Sequence, residues 1–156
     1  KAKKLGHLSV IEHASFTFSV EGVSRSCTHQ LVRHRLASYS QQSMRYVNLS
    51  ELDYNDFVTP KTIKENDAEE EYKELLESTI STYKKLLEKG VPKEDARFVL
   101  PIASPTNITV TMNGRELLHF LDLRLEENAQ WEIRKVAKRM LKEVKDVAPN
   151  IFSEDI

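Results

Sequence analysis

The chain has 156 residues, a mass of 18.0 kDa and 40% hydrophobic residues, enough to bury a core in one domain or at most two small ones, so a mainly disordered chain is excluded. Lys and Arg number 23 against 24 Asp and Glu, a formal net charge of −1 that argues against coating nucleic acid by bulk charge. No apolar run approaches the roughly 20 residues of a membrane span, and a single cysteine, Cys27, allows neither an intrachain disulfide nor a cysteine-built zinc site.

In chain order, Ser9-Val-Ile-Glu12 has the spacing of a capping box and predicts a short helical turn. Ser15 to Val20 alternates apolar and polar residues at strand period, with Glu21-Gly22 as its turn. Ser24 is placed to cap a helix running to about Leu36, with Val23, Cys27, Leu31 and His34 on one face. Asp53 to Lys64 reads as a polar connection containing Pro60. From Asp67 to Lys89 apolar residues recur at helical spacing, with Gly90 as the stop and Pro92 opening another turn. Thr106 to Met112 alternates again as a strand, and Asn113 is a natural N-cap for a helix through about Leu125. Ala129, Ile133, Val136, Met140, Leu141 and Val144 define a last helix before Pro149. The class is α+β, a small antiparallel sheet with long flanking helices.

The even charge hides an asymmetry. Gly22–Ser50 contains Arg25, Arg33, Arg35 and Arg45 and no acid, a formal +4, whereas Glu51–Gly90 holds 11 acids against 6 lysines, a formal −5. All nine arginines fall in Gly22–Ser50 or Arg97–Arg139, and no lysine occurs between residues 5 and 60. The planar fork of arginine suits carboxylates and phosphates, whereas lysine more often supplies solubility. An anion site assembled from several arginine-bearing segments is expected.

The densest polar cluster, Arg33 to Arg45, packs Ser38, Ser40, Gln41, Gln42, Ser43 and Arg45 together without an opposite charge. Hydroxyls, amides and guanidinium groups in this density suit a phosphate and a heterocycle edge; the plain alternative is a solvated basic loop. Arg97, Asn113-Gly114-Arg115, His119 and Arg124 repeat the theme, although Arg97 at i, i+3 from Glu94 also fits a helix-surface pair. Ser43 has no evident base, Cys27 lies on an apolar face, and the five histidines lack carboxylates at metal-ligand spacing, so no metal site is expected. With four glycines there is no Gly-x-Gly-x-x-Gly or Walker loop.

Arg33-His34-Arg35, followed by Ser38, Ser43, Arg45 and Tyr46, resembles the signature of the flavin-dependent thymidylate synthases. The resemblance runs from Gly6-His7, Glu12-His13 and Phe16-Thr-Phe18 through Ala96-Arg97 and Val99-Leu-Pro101 to Asn113, Arg115, His119-Phe120, Leu123-Arg124 and Ala129-Gln-Trp-Glu-Ile133. It implies methylation of dUMP to dTMP, with 5,10-methylenetetrahydrofolate as carbon donor, NADPH-reduced FAD as hydride donor and no protein nucleophile. It also implies a homotetramer whose active sites lie at chain interfaces, while the single cysteine fits a reducing, cytoplasmic setting and the charge and hydropathy lead to no expected nucleic acid or membrane partner. Position by position, it implies that Gln30, Leu31, Val32, Arg33, Gln41, Gln42, Ser43, Met44, Arg45 and Arg97 hold dUMP, and that Arg124 polarises the uracil ring as the catalytic residue. Ser9, Arg33, His34, Arg35, Gln41, Asn113, Gly114, Arg115 and His119 fall at the FAD contacts. Gln41 stands where many members carry glutamate, His119 where some carry asparagine, and Asn128 where histidine or arginine is frequent. One domain over residues 1–156 is expected, without the family's preceding strand-and-helix segment and its short tail. Read from the residues alone, a non-catalytic nucleotide- or RNA-binding oligomeric module using the 22–50 segment stays open. So does a structural domain whose arginines pair with the acids of 51–90.

Overall fold

The computed structural model describes residues 6–152. Three strands, β1 (Ser15–Ser24), β2 (Ala37–Gln41) and β3 (Pro105–Asn113), form one antiparallel sheet in the order β1-β3-β2. Among the described residues six α-helices accompany them: α1 (Arg25–Leu31), α2 (Lys61–Glu65), α3 (Glu69–Glu88), α4 (Lys93–Ala96), α5 (Gly114–Leu125) and α6 (Trp131–Val147). The α+β expectation holds. By contact density the chain divides into two compact units. The first comprises the described parts of Lys1–Glu21, Cys27–Ser40 and Asn107–Ile156, and the second comprises Gly22–Ser26 and Gln41–Thr106.

In the first unit, strict alternation along β3 buries Ile108, Val110 and Met112 and exposes Asn107 and Thr109, the pattern of a strand with one face on a core. Thr17 and Thr111 join β1 to β3 through their hydroxyls at 2.9 Å. As the sequence predicts, Asn113 caps α5, its side-chain oxygen accepting the Glu116 N–H at 2.9 Å. Gln130 does the same for α6, accepting from the N–H groups of Glu132 and Ile133. Leu117, Phe120 and Leu121 of α5 and Ile133, Ala137, Met140 and Val144 of α6 are buried, and the two helices pack together.

Gly114 opens α5 where two backbones meet: its N–H donates to Ala14 O at 2.8 Å, and a Cβ built on it would lie 2.7 Å from Ile11 O. Glycine is required there for close approach. Gly114→Ala is expected to cost about 1–3 kcal/mol, since a rigid carbonyl must move, read as a lower urea midpoint at unchanged slope. Wild-type stability would mean that the Leu8–His13 segment yields without cost.

In the second unit, α3 follows its predicted span closely, burying Leu76, Ile80 and Tyr83 while Leu75 faces outward. Tyr83 and Ala96 pack with Leu49, and Leu76 and Ile80 pack with Phe57. Gly90 ends the helix, its N–H bonding Leu87 O at 2.9 Å, and Pro92 starts α4.

Five local expectations are corrected. Ser9 and Glu12 form no capping box: Leu8–His13 is a 3-10 helix without a side-chain cap, and Glu12 instead binds Arg115. Glu21-Gly22 does not turn the chain, because β1 continues to Ser24 with Gly22 at φ +64°, a left-handed residue that kinks a strand without ending it. Helix α1 stops at Leu31, short of Leu36. The hydroxyl of Tyr39 lies 2.8 Å from Leu31 O and 2.7 Å from His34 O, and it shares its proton between carbonyls that would otherwise seek a further helical turn. Val23, Cys27, Leu31 and His34 are all buried although the helix holds only Cys27 and Leu31. The polar connection contains a 3-10 turn, Tyr54–Asp56, boxed by Asp53 and Asp56, and then α2 after Pro60. Finally, Ala37–Gln41, read only as part of a polar cluster, is a strand.

Candidate functional site

A cleft in the first unit has a volume of about 1240 Å³ and is lined by Gly6, Leu8, Glu12, Leu36, Asn113, Arg115, Glu116, Leu118, His119 and Asp122. Three of the expected cofactor residues, Asn113, Arg115 and His119, thus share one wall. The reason is helical: Arg115 and His119 are four residues apart on α5, so both side chains leave the same face. Arg115 Nη1 donates to Glu12 Oε1 at 2.6 Å, both side chains being largely exposed. Such a surface pair contributes little stability, so Glu12 is an exchangeable partner for that guanidinium. Ser9, Arg33 and Arg35 are exposed and Gly114 is buried beneath the segment that carries Ser9.

Behind the cleft lies a buried polar relay. His34 is 4% exposed, its ring edge-on to Phe120 at 5.0 Å between centroids and to His119 at 5.9 Å. Arg124 Nε donates to His34 Nε2 at 3.0 Å, and His34 Nδ1 lies 3.5 Å from Glu116 Oε1. An imidazole nitrogen that accepts from a guanidinium carries no proton, so the ring proton sits on Nδ1, facing Glu116. Burial, then Arg124, then His119 lower the His34 pKa to about 4, and the neutral ring follows. The terminal nitrogens of Arg124 carry no hydrogen bond among the described residues.

The second unit assembles the other arginines. Arg45 grips one oxygen of the Glu94 carboxylate through Nη2 at 2.6 Å and Nε at 2.8 Å, while Arg97 Nε donates to Glu94 O at 2.9 Å. The expected i, i+3 contact of Arg97 with Glu94 therefore goes to the main chain, and the carboxylate goes to Arg45. Ser43 Oγ accepts the Arg45 N–H at 3.1 Å and fixes the turn that carries Arg45. Gln41 Nε2 donates to Thr106 Oγ1 at 3.3 Å; Gln42 is exposed and Met44 packs on the Leu49 core.

Sequence reading counted Arg25 in the basic run without assigning it to the site. Its Nη2 donates to Gln42 O at 2.8 Å, and burial first and the charge of Arg97 second lower its pKa. The two guanidinium groups are close enough for each charge to oppose the other. The signal that could have found Arg25 was the acid-free run itself. The remaining expected substrate residues, Gln30 to Arg33 and Arg124, belong to the first unit. There Leu31 is buried, and Val32 and Arg33 are exposed.

Cys27 is 1% exposed, and burial, helped by Glu132, pushes its thiol up to about 12, so a thiolate is not formed near neutrality. Among the described residues no group of three or more His, Cys, Asp or Glu is arranged to hold a metal ion, and no helix is long and apolar enough to cross a membrane.

Comparison with known proteins adds sequence relatives to this geometry. The thymidylate synthase complementing protein family matches residues 1–150. The flavin-dependent thymidylate synthase of Pyrococcus furiosus is 57% identical over 141 residues, 89% of this chain and 58% of that protein. Its namesake in Geobacter sulfurreducens is 51% identical over 154 residues, 99% of this chain and 66% of its own length. That of Sulfurisphaera tokodaii is 51% identical over 147 residues, covering 94% and 56%. The chain thus spans 56% to 66% of the length of these three relatives.

Proposed function

The chain belongs to the thymidylate synthase complementing protein family, and from that premise we propose that it makes dTMP from dUMP as a flavin-dependent thymidylate synthase. The observation that carries the reading is the pinned Arg124, an arginine fixed through Nε by buried His34 with its other nitrogens uncommitted among the described residues. A permanently charged fork held this way suits the pyrimidine carbonyl and N3, where it stabilises the negative charge that makes the ring reactive.

The FAD assignment finds support in the donor set of the cleft. Leu8, Leu36 and Leu118 offer apolar walls to a planar ring system, while Arg115, Asn113 and His119 offer donors to polar edges and phosphates. Ser9, Arg33, Arg35, Gln41 and Gly114 are assigned to the same group by family position. His34 Nε2 accepts from Arg124 and Nδ1 faces the Glu116 carboxylate at 3.5 Å, which leaves any flavin contact to its main chain. When bound, the flavin, reduced by NADPH, supplies the hydride that completes the methyl group from 5,10-methylenetetrahydrofolate.

The chain's own residues bind and orient. Gln30 to Arg33 and Gln41 to Arg45 hold dUMP, with Ser43, Arg45, Arg97 and the newly recognised Arg25 toward its phosphate. Arg45 already takes one anionic oxygen, that of Glu94, as it would take one of that phosphate. No protein nucleophile is required, in keeping with the buried, protonated Cys27. A homotetramer in the cytoplasm, with arginines from different chains completing each site, accounts for arginine clusters in separate segments. Arg45 and Arg115 pair with Glu94 and Glu12, outside the acidic 51–90 stretch that a purely structural domain would use.

The purified protein is expected to show an oxidised flavin spectrum, bleached by NADPH, and to release dTMP from dUMP. Absence of a flavin band even after added FAD would sink the reading. RNA binding with a steep salt dependence and no flavin would favour the binding-module alternative.

A further inference from the structure

The relay behind the cleft uses three side chains in a fixed order. Glu116 and Arg124 lie eight residues apart on α5, and His34, from the turn after α1, is inserted between them. All contacts lie within one unit. The Nδ1–H tautomer offers a donor to Glu116 and an acceptor to Arg124. A guanidinium is planar, so a hydrogen bond at Nε sets the plane of the fork as well as the direction of the side chain. The His34 ring is shielded by Phe120 and His119, so the ring meets a ligand only through the arginine it holds.

We propose that His34 is a positioning residue whose unprotonated Nε2 aims the Arg124 fork at its target, with Glu116 holding the tautomer. This rests on the thymidylate synthase reading for the identity of the target, and on geometry alone for the coupling. It gives the histidine of the Arg-His-Arg triplet a task distinct from ligand contact. It also accounts for a buried carboxylate, Glu116 at 5% exposure, 3.5 Å from the imidazole Nδ1, where its negative charge favours the tautomer with the proton on that nitrogen.

Chemistry selects the variants. Glutamine at position 34 presents the same acceptor and donor pair on a neutral amide, whereas phenylalanine keeps the ring packing on Phe120 and offers neither. Nitrogen-15 NMR of the FAD-loaded protein should place the proton of His34 on Nδ1, and the Arg124 Nε–H signal should be slow to exchange in the wild type and in His34→Gln but lost in His34→Phe. Turnover of dUMP should fall about 10- to 100-fold in His34→Phe with the flavin spectrum unchanged, the scale of one charge-assisted hydrogen bond. His34→Gln should restore most of it. A proton on Nε2, an Arg124 Nε–H indifferent to both variants, or wild-type turnover in His34→Phe would overturn the proposal. A wild type with the stated tautomer and coupling but no dTMP formation would instead refute the enzymatic reading, leaving the His34–Arg124 coupling in place.

Discussion

Arg124→Ala is expected to bind FAD normally and to lose about 10²- to 10³-fold in dTMP formation at saturating dUMP, the range for removing one preorganised charge-stabilising group from a transition state. Charge development on the pyrimidine ring is the step that a fixed guanidinium can favour differentially, so the loss should appear in kcat rather than in KM alone. Arg124→Lys keeps the charge but has neither the planar fork nor the Nε–H that His34 receives, and it should recover little. The flavin spectrum of each variant separates a lost catalytic group from a collapsed site. Turnover within about threefold of wild type in Arg124→Ala, well under the single-group range, would remove Arg124 from the chemistry.

Acid should weaken the fold through one ring. The His34 pKa falls from 6.5 to about 4 in the folded chain, so between those values the unfolded state binds a proton that the folded state does not. Stability from this source is therefore complete above pH 6.5 and is lost as pH falls toward 4, by about 3 kcal/mol at 1.36 kcal/mol per unit. The groups facing the ring are Arg124 and His119, which oppose its protonation, and Glu116, which does not compensate for its burial. His34→Gln has no such titration. Urea unfolding of both proteins at pH 7.5 and pH 4 should show the wild type losing about 3 kcal/mol more than the variant over that interval. Parallel losses would mean that the ring protonates in the folded state without penalty.

What the residues alone disclosed divides along physical lines. Helices α3 and α5 were legible because their signals are local: apolar residues at helical spacing, and Asn113 placed where an N-cap belongs. Strand β2 was missed because its polar residues drew attention as a ligand cluster. Its burial alternates nonetheless, with Ala37, Tyr39 and Gln41 more buried than Ser38 and Ser40, and that alternation was visible in the sequence. The Tyr39 hydroxyl that meets Leu31 O at the end of α1 comes from eight residues further on, and the passage of β1 through Gly22 carries a positive φ. Neither is a composition signal. In the candidate site, residue types were readable and partnerships were not. Arg124 and His34 are 90 positions apart, and nothing in either segment says that one arginine of the nine is anchored from behind while Arg45 and Arg115 rest on exposed carboxylates.

The contact at Gly114 has a genetic consequence. Its clash partner is the main-chain oxygen of Ile11, which every residue type at position 11 would present alike. A defect caused by bulk at position 114 therefore has no compensating substitution at position 11. Suppressors of Gly114→Ala are expected only where they shift the Leu8–His13 segment as a whole or add stability elsewhere. The two positions are bound together by shape and yet are not free to vary as a pair.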